Sequence, residues 1–563
     1  MSEAASERRQ VSLKTKLAFS SGSLEEAMIG AASAATMIFY NQVLGVSPAL
    51  CGIAFAIGSI IDAISDPIVA AWSDNFRSRW GRRHPFMAFS ALPLTLGFYL
   101  MYAPPSDLTE AQYFAWLIFT VVLIRVGKTF YSVPHAALGA EMTDDYNDRT
   151  SIFGYNTLVG SVGNLILVGV MLYILFPSTG GYENGLTNPN GYPVLALAGG
   201  LWIILTTFLC VYGTRDQIPL LHDVDHQRVS VFDNWQDLKS LLQSKSYLSV
   251  CIAWLVMTTS GGILAVVGTY TFLYGYEMAS EEYIFVRLAY IPGMLLCLPA
   301  AAWLTGLLDK KWTVISTSIF CAFMVGLPHT LQLFGLFPAN DSVWMLPTLI
   351  GMMTVGLAFL LVVPVVIDSQ LGDVADEHEL KTGRRSEGMV YAFRTFAIKA
   401  TSSVGNLIGG FGLQIIGFPD NATAETITQE TLNGLFFMMG PLYWIICFTG
   451  MLFMGMYQLN KAKHAEIIKE LKERRAELRS EGAPRVYSES FNALNEPPII
   501  SNEPGSSGSS GFDGDKYKTT FSGVYASGTV GVSNNQINAG ILANNIGATV
   551  VIEPDDTNLS YTN

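Results

Sequence analysis

Long apolar stretches alternate with short polar connections over most of the chain, at residues 17–45, 48–73, 85–104, 109–140, 151–177, 192–213, 246–275, 281–307, 312–335, 342–371, 388–417 and 431–457. A helix rises 1.5 Å per residue, so about 20 apolar residues cross the ~30 Å hydrocarbon layer. The pattern therefore predicts an all-α membrane protein with twelve transmembrane helices. The connections sort by charge. Arg77, Arg79, Arg82 and Arg83, then Arg149, then Arg215, Arg228, Lys239 and Lys245, then Lys310 and Lys311, then Lys381, Arg384 and Arg385 fall in every second one. The alternate connections, among them APPSDLTEAQ, PSTGGYENGLTNPNGYP, GYEMASEEY, FPANDS and PDNATAETITQET, contain neither lysine nor arginine. By the positive-inside rule both termini are expected in the cytoplasm, with the chain in the plasma membrane, the inner membrane of a bacterium.

The same pattern divides the chain into a polar N-terminus (1–16), a first six-helix half (17–213), a polar linker (214–245), a second six-helix half (246–457), a polar helix (458–481) and a tail (482–563). The two halves read as a pseudo-repeat. Asp74 precedes Arg77 and Arg79 in the connection after the second span, and Asp309 precedes Lys310 and Lys311 after the eighth. With Arg82 and Arg83, these residues form either an acid/base brace that breaks as the halves rock, or basic residues that set topology alone. In the polar helix, Ile468, Leu471 and Leu478 share a stripe, and Glu470 stands four residues before Arg474. The Ser-, Gly- and Asn-rich tail reads as disordered, apart from a β-prone FSGVYASGTVGV.

Composition agrees with this picture. Of 563 residues half are hydrophobic and 14% charged, which argues against one soluble domain. The net charge of -13 does not imply a nucleic-acid partner, and none is expected. The six cysteines show no CxxC or metal-ligand spacing and read as packing residues. The first apolar stretch is longer than a signal-peptide core and lacks a cleavage site, so it is expected to remain as a helix.

Charges inside the spans carry the chemistry, because each costs several kcal/mol there without a partner. In SIIDAISDPIVAAWSDNFRSRWGRRHP, Asp62 and Asp66 stand four residues apart and so on one helix face. Pro67 cannot donate to the carbonyl of Ala63, leaving a further oxygen nearby; a small hard cation or a proton would satisfy the group. Arg125, Lys128, Thr129 and Ser132 form a stripe on the fourth span, where Pro134 frees the carbonyl of Phe130. Thr129 is suited to an ion, and Lys128 to neutralising a carboxylate when the ion is absent. The first span contributes Glu25 and Glu26, and the eleventh Arg394 and Lys399, the latter roughly eleven residues in from the basic end. Partners for Lys399 would be Asp62, Asp66 or an anionic solute. Arg287, near the end of its span, is expected to snorkel, and His135 to pack or to line a pathway. The alternative for every intramembrane charge is an ion pair that fixes helix packing. No HExxH, GxSxG or P-loop occurs in a supporting context, and the charges spread over at least four spans, which suits a cavity between two halves better than a hydrolytic site.

The run IIDAISDPIVAAWSDNFRSRWGRRHPF, FYSVPHAALGAEMTDDYNDRT after the fourth span, and DEHELKTGRRSEGMVYAFRTFAIKATSSVGN into the eleventh together resemble the glycoside-pentoside-hexuronide:cation symporters, the melibiose permease type of the major facilitator superfamily. The resemblance covers about Lys14 to Lys461 and implies the major facilitator fold, with no enzymatic activity and no cofactor beyond a coupling cation; the residues do not choose among Na⁺, Li⁺ and H⁺, although two carboxylates with a hydroxyl and a carbonyl favour Na⁺. It implies Asp62, Asp66 and Thr129 as the cation site, Lys399 beside it, and Glu26 as the first-span acid that contacts sugar, one methylene longer here. The fourth-span sugar-binding aspartate of the family corresponds to Ser132 and the fifth-span arginine falls near Thr157, so the galactoside clamp is not intact. Solute candidates are a sugar, a glycoside or a sugar acid, with Arg125 and Lys128, and Arg394 on the eleventh span, as further contacts; the first two hint at an anion. The alternative implied by resemblance is a carrier of lysophospholipid or another amphipathic anion, and a monomer is the default.

Overall fold

A computed structural model of the chain describes residues 11–143, 145–179, 181–182, 184–220, 239–383, 390, 401, 404–420, 422 and 426–480, and short stretches at 518–523, 526–531, 549–551, 553–554 and 559–560. The membrane body is one compact unit, Arg9–Thr143 with Asp148–Ile468; a second unit comprises Met1–Arg8, Asp144–Asn147 and Lys469–Asn563.

Among the described residues, nine helical stretches have the length and apolarity to cross a membrane: Pro48–Asn75, His84–Tyr102, Glu110–Glu141, Asp148–Leu175, Gly191–Pro219, Lys245–Gly275, Tyr283–Leu333, Met345–Thr382 and Gln429–Met454. Four of the expected spans differ in form. The first is Ser23–Ile38, continued by a π-helical turn at Phe39–Val43, and its first turn carries Glu25 and Glu26. The eighth and ninth lie within Tyr283–Leu333 and are separated by a break at Asp309. The eleventh is described at Val404–Ile415. These elements are consistent with twelve spans in the major facilitator arrangement.

Asp309 breaks the helix because it takes φ +67° and ψ 156°, a region costly for a residue with a Cβ. Its carboxylate offsets part of that cost by accepting from the amides of Lys310 at 2.7 Å and Lys461 at 3.0 Å.

The halves meet where the connections lack lysine and arginine. Asn41 Nδ2 donates to Asp420 Oδ1 at 2.8 Å, Gln42 accepts from the amide of Ala422 at 2.7 Å, and Tyr270 Oη donates to Asn41 Oδ1 at 2.9 Å. Ser178 donates to Glu281 through its amide at 2.8 Å and its hydroxyl at 2.7 Å. Beside this polar seam, the second and eleventh spans touch backbone to backbone. A Cβ on Gly410 would stand 2.5 Å from the Pro48 carbonyl oxygen, so only glycine permits the approach. The inter-half hydrogen bonds between described residues cluster at this end.

The second unit is described in part. Antiparallel strands pair Lys518–Gly523 with Ala526–Gly531, and Thr549–Val551 with the first of these. The first two of these strands overlap the β-prone FSGVYASGTVGV of the tail. Thr, Val and Phe positions suit a pleated strand, and the intervening Gly and Ser weaken that preference without removing it.

Candidate transport site

The second and fourth spans run side by side and pair their polar residues in rungs. Arg125 Nη1 lies 2.7 Å from Asp62 Oδ2. One turn along both helices, Thr129 Oγ1 donates to Asp66 Oδ1 at 3.0 Å, and Ser65 Oγ stands 2.8 Å from the same hydroxyl. The i to i+4 spacing of Asp62 and Asp66 on one helix matches that of Arg125 and Thr129 on the other, so both contacts form in a single register. Gly58 makes the approach close: a Cβ there would fall 2.5 Å from Val121 Cγ1 and 3.3 Å from Arg125 Cγ. Asp62 and Thr129 are buried and Asp66 is half-buried.

The fourth-span stripe is thus divided among partners. Lys128 Nζ lies 2.6 Å from Glu26 Oε1 of the first span, whose side chain is largely exposed. Ser132 is half-buried one turn along the same helix from Lys128. Arg394 and Lys399, which the sequence places with the same cluster, lie outside the described residues.

A second acid stands next to Glu26. Glu25 is buried, and its Oε1 has no hydrogen-bond partner. His135 is a packed histidine: its Nε2 is 3.0 Å from the Phe19 carbonyl oxygen and its ring stacks on Phe19 with centroids 4.1 Å apart. Among the described residues, no group of three or more His, Cys, Asp or Glu side chains is arranged to hold a metal ion.

The expectation that Arg287 snorkels is corrected. Its side chain lines a cavity of about 190 Å³ bounded by the seventh, eighth, ninth, tenth and twelfth spans. Its helix starts at Tyr283, and one turn later the guanidinium points between helices.

The paired acid/base braces take a definite form at the basic end. In the first half Arg83 pairs with Asp74 at 2.6 Å and Glu141 at 2.7 Å, and Arg82 pairs with Glu141 at 2.9 Å. In the second half Lys310 pairs with Asp373 at 2.7 Å. Arg77 and Arg79 are exposed, Arg79 lying 5.9 Å from the Trp80 ring centroid. Both braces lie inside one half, tying the loop after the second span to the fourth, and the break after the eighth to the tenth. Among the described residues, neither brace bridges the two halves. Glu141 and Asp373, which complete the braces, were missed in sequence; their signal is the acid that ends the fourth span and its counterpart in the tenth. Against the second brace packs the polar helix Lys461–Ser480, whose His464 Nε2 lies 3.1 Å from Asp376 Oδ2 and 3.4 Å from Asp373 Oδ1. The Asp376 hydrogen bond raises the His464 pKa above its ordinary value against the opposing effect of burial.

With this geometry in place, comparison with known proteins is decisive. Residues 18–461 match the family described as MFS/sugar transport protein. The chain belongs to that family, within the glycoside-pentoside-hexuronide:cation symporters of the major facilitator superfamily, and is a multi-pass membrane transporter. It is 23% identical over 462 residues to the lactose permease of Leuconostoc lactis, covering 80% of this chain and 68% of that protein. It is 22% identical over 404 residues to the isoprimeverose transporter of Lactiplantibacillus pentosus, covering 70% and 79%. The crystal structure of the nucleoside transporter NupG superposes with a TM-score of 0.53 at 14% identity, covering 80% of this chain and all of that one; at this identity the likeness concerns the fold alone.

Proposed function

We propose that this transporter couples inward movement of a sugar, glycoside or sugar acid to a monovalent cation by alternating access, with Na⁺ favoured over H⁺. The observation that carries the reading is the double rung, in which two intramembrane carboxylates are held one turn apart by a guanidinium and a hydroxyl. In the cation-free protein Arg125 neutralises Asp62. A cation entering between Asp62, Asp66 and Thr129 competes with that guanidinium, and its binding frees Arg125 to rearrange around the solute with Glu26, Lys128 and Ser132. Cation and solute then raise each other's affinity by the same factor.

The basic end is assigned to the cytoplasm by the positive-inside rule, in the plasma membrane, or the inner membrane of a bacterium. On that assignment the seam at Asn41, Gln42, Asp420 and Glu281 closes the outer side, and the arrangement described is the inward-facing one. An apolar groove between the third and sixth spans contains no residue of the polar cluster, so it supplies no lateral path for a lipid chain to that cluster.

Thermal unfolding in detergent with Na⁺, Li⁺ or K⁺ at matched ionic strength tests the reading. A cation at 100 times its dissociation constant stabilises by about 2.7 kcal/mol. A Na⁺-specific rise that disappears in Asp66→Asn is expected, followed by Na⁺-driven sugar uptake in vesicles. A wild-type protein indifferent to all three cations, with uptake driven by a pH gradient, would replace Na⁺ by H⁺; no cation-gradient-driven uptake of any sugar would sink the proposal.

A further inference from the structure

The intramembrane cations of the first half are both engaged, Arg125 by Asp62 and Lys128 by Glu26. In the arrangement described, the positive charges of those two residues are therefore paired within the protein. The second half holds Arg287 in a different situation. Its Nε is buried without a hydrogen-bond partner, and no carboxylate pairs with it among the described residues. The acids beside it in sequence are used elsewhere: Glu281 accepts from Ser178 across the seam, and Glu282 Oε2 accepts from the Ala279 amide at 3.0 Å. The close support of Arg287 is Tyr283, a side-chain hydrogen-bond partner whose ring centroid lies 5.6 Å from the guanidinium carbon and which carries no full negative charge.

An unpaired guanidinium inside a membrane-spanning helix costs several kcal/mol and calls for a counter-charge. The space for one is present. Arg287 faces the cavity of about 190 Å³ together with Tyr283, Tyr290, Tyr443, Ser260 and Ser318. On such a measure one water needs only ~10–15 Å³, so the cavity has room for a group of monosaccharide size. Its wall combines aromatic faces, which pack on the apolar side of a sugar ring, with hydroxyls and one forked cation, the mixture expected of a polar small-molecule site. A guanidinium binds a carboxylate through two parallel hydrogen bonds. Among the described residues lining the cavity Arg287 is the one cation, and it balances a single negative charge; a doubly charged phosphate would leave one charge uncompensated by them.

We propose that Arg287 binds the carboxylate of the transported solute, so that the protein selects a singly charged sugar acid over neutral sugars. This rests on the reading of the chain as a sugar-class symporter and adds the residue that reads the solute's charge. The first half then senses the cation and the second half the anion, and the pair enters electrically balanced.

The test uses the full chain purified in detergent, with D-glucuronate, D-galacturonate, the methyl ester of D-glucuronate and D-glucose as probes of thermal stability in Na⁺. The ester keeps the ring and removes the charge. At least one uronate is expected to bind wild type ten or more times as tightly as ester and glucose. Arg287→Gln should erase that preference, and Arg287→Lys should retain part of it. Folding of each variant is checked by its Na⁺-induced stabilisation, which resides in the other half. Unchanged uronate preference in Arg287→Gln overturns the assignment. Equal binding of neutral and acidic sugars by wild type also overturns it while leaving sugar symport intact. Absence of binding by all four, with the Na⁺ response intact, overturns the assignment and the choice of sugar class together.

Discussion

The guanidinium of Arg125 lies 2.7 Å from the carboxylate of Asp62, so one of the two acids expected to hold a coupling cation already has a positive partner supplied by the protein. Cation and guanidinium compete for the same oxygens. Arg125→Gln should therefore tighten Na⁺ binding about tenfold, ~1.4 kcal/mol, while lowering stability without Na⁺ by about 2 kcal/mol because Asp62 is left buried and unpaired. Titrating the unfolding temperature against Na⁺ measures both. Unchanged Na⁺ affinity in the variant would remove the competition from the mechanism.

Thr129 supplies the hydroxyl that connects Ser65 and Asp66. Thr129→Val preserves shape and removes that hydroxyl, so about 1–2 kcal/mol of stability should be lost along with most of the cation-dependent gain. Thr129→Ser should restore the cation response. A valine variant that responds to Na⁺ like wild type would exclude the hydroxyl as a ligand.

Gly410 lets the second and eleventh spans close on each other, since a Cβ there would meet the Pro48 carbonyl oxygen at 2.5 Å. Gly410→Val should hold the halves apart at the seam and abolish solute uptake while leaving Na⁺-induced stabilisation in place. Spin labels across the seam, on Asn41 and Asp420 replaced by cysteine, should report a longer distance in this background. An unchanged distance would show that the backbone contact does not control closure.

His464 titrates outside the membrane, and its hydrogen bond to Asp376 raises its pKa in the folded protein. A raised folded pKa means that the stabilisation is fully present below the unfolded value, about 6.5, and is lost as pH rises through the higher folded value. Wild type should exceed His464→Gln in stability at pH 6, by less than about 1 kcal/mol since the pair is partly exposed. The two should converge by pH 9. A difference that grows with pH would contradict the assigned ion pair.

How much was legible beforehand varies from residue to residue. Asp62 and Asp66 stood out because carboxylates in an apolar run are costly, and their spacing placed them on one helix face. Thr129 entered through the resemblance and its helical spacing from Arg125. The partner of each was not readable: Lys128 meets Glu26 and Arg125 meets Asp62 because of how the first, second and fourth spans are rotated against one another, which periodicity within one helix does not specify. The braces were placed in the right connections, yet Asp74 bonds Arg83 rather than Arg77 or Arg79. Both braces close on an acid from a more distant helix, Glu141 or Asp373. Arg287 was misread because a cation near a span end reaches water equally well on paper; the helix that begins at Tyr283 turns it between five spans instead.

By itself the sequence determined the class, the spans and their alternation of charge, since a helix crossing hydrocarbon must be long and apolar and a charge within it is costly. Tertiary structure decided which charges cancel and which face open space. Ion pairing falls off over a few ångströms, and only the packing of separate helices brings Asp62 to Arg125 while it leaves the guanidinium of Arg287 facing a cavity.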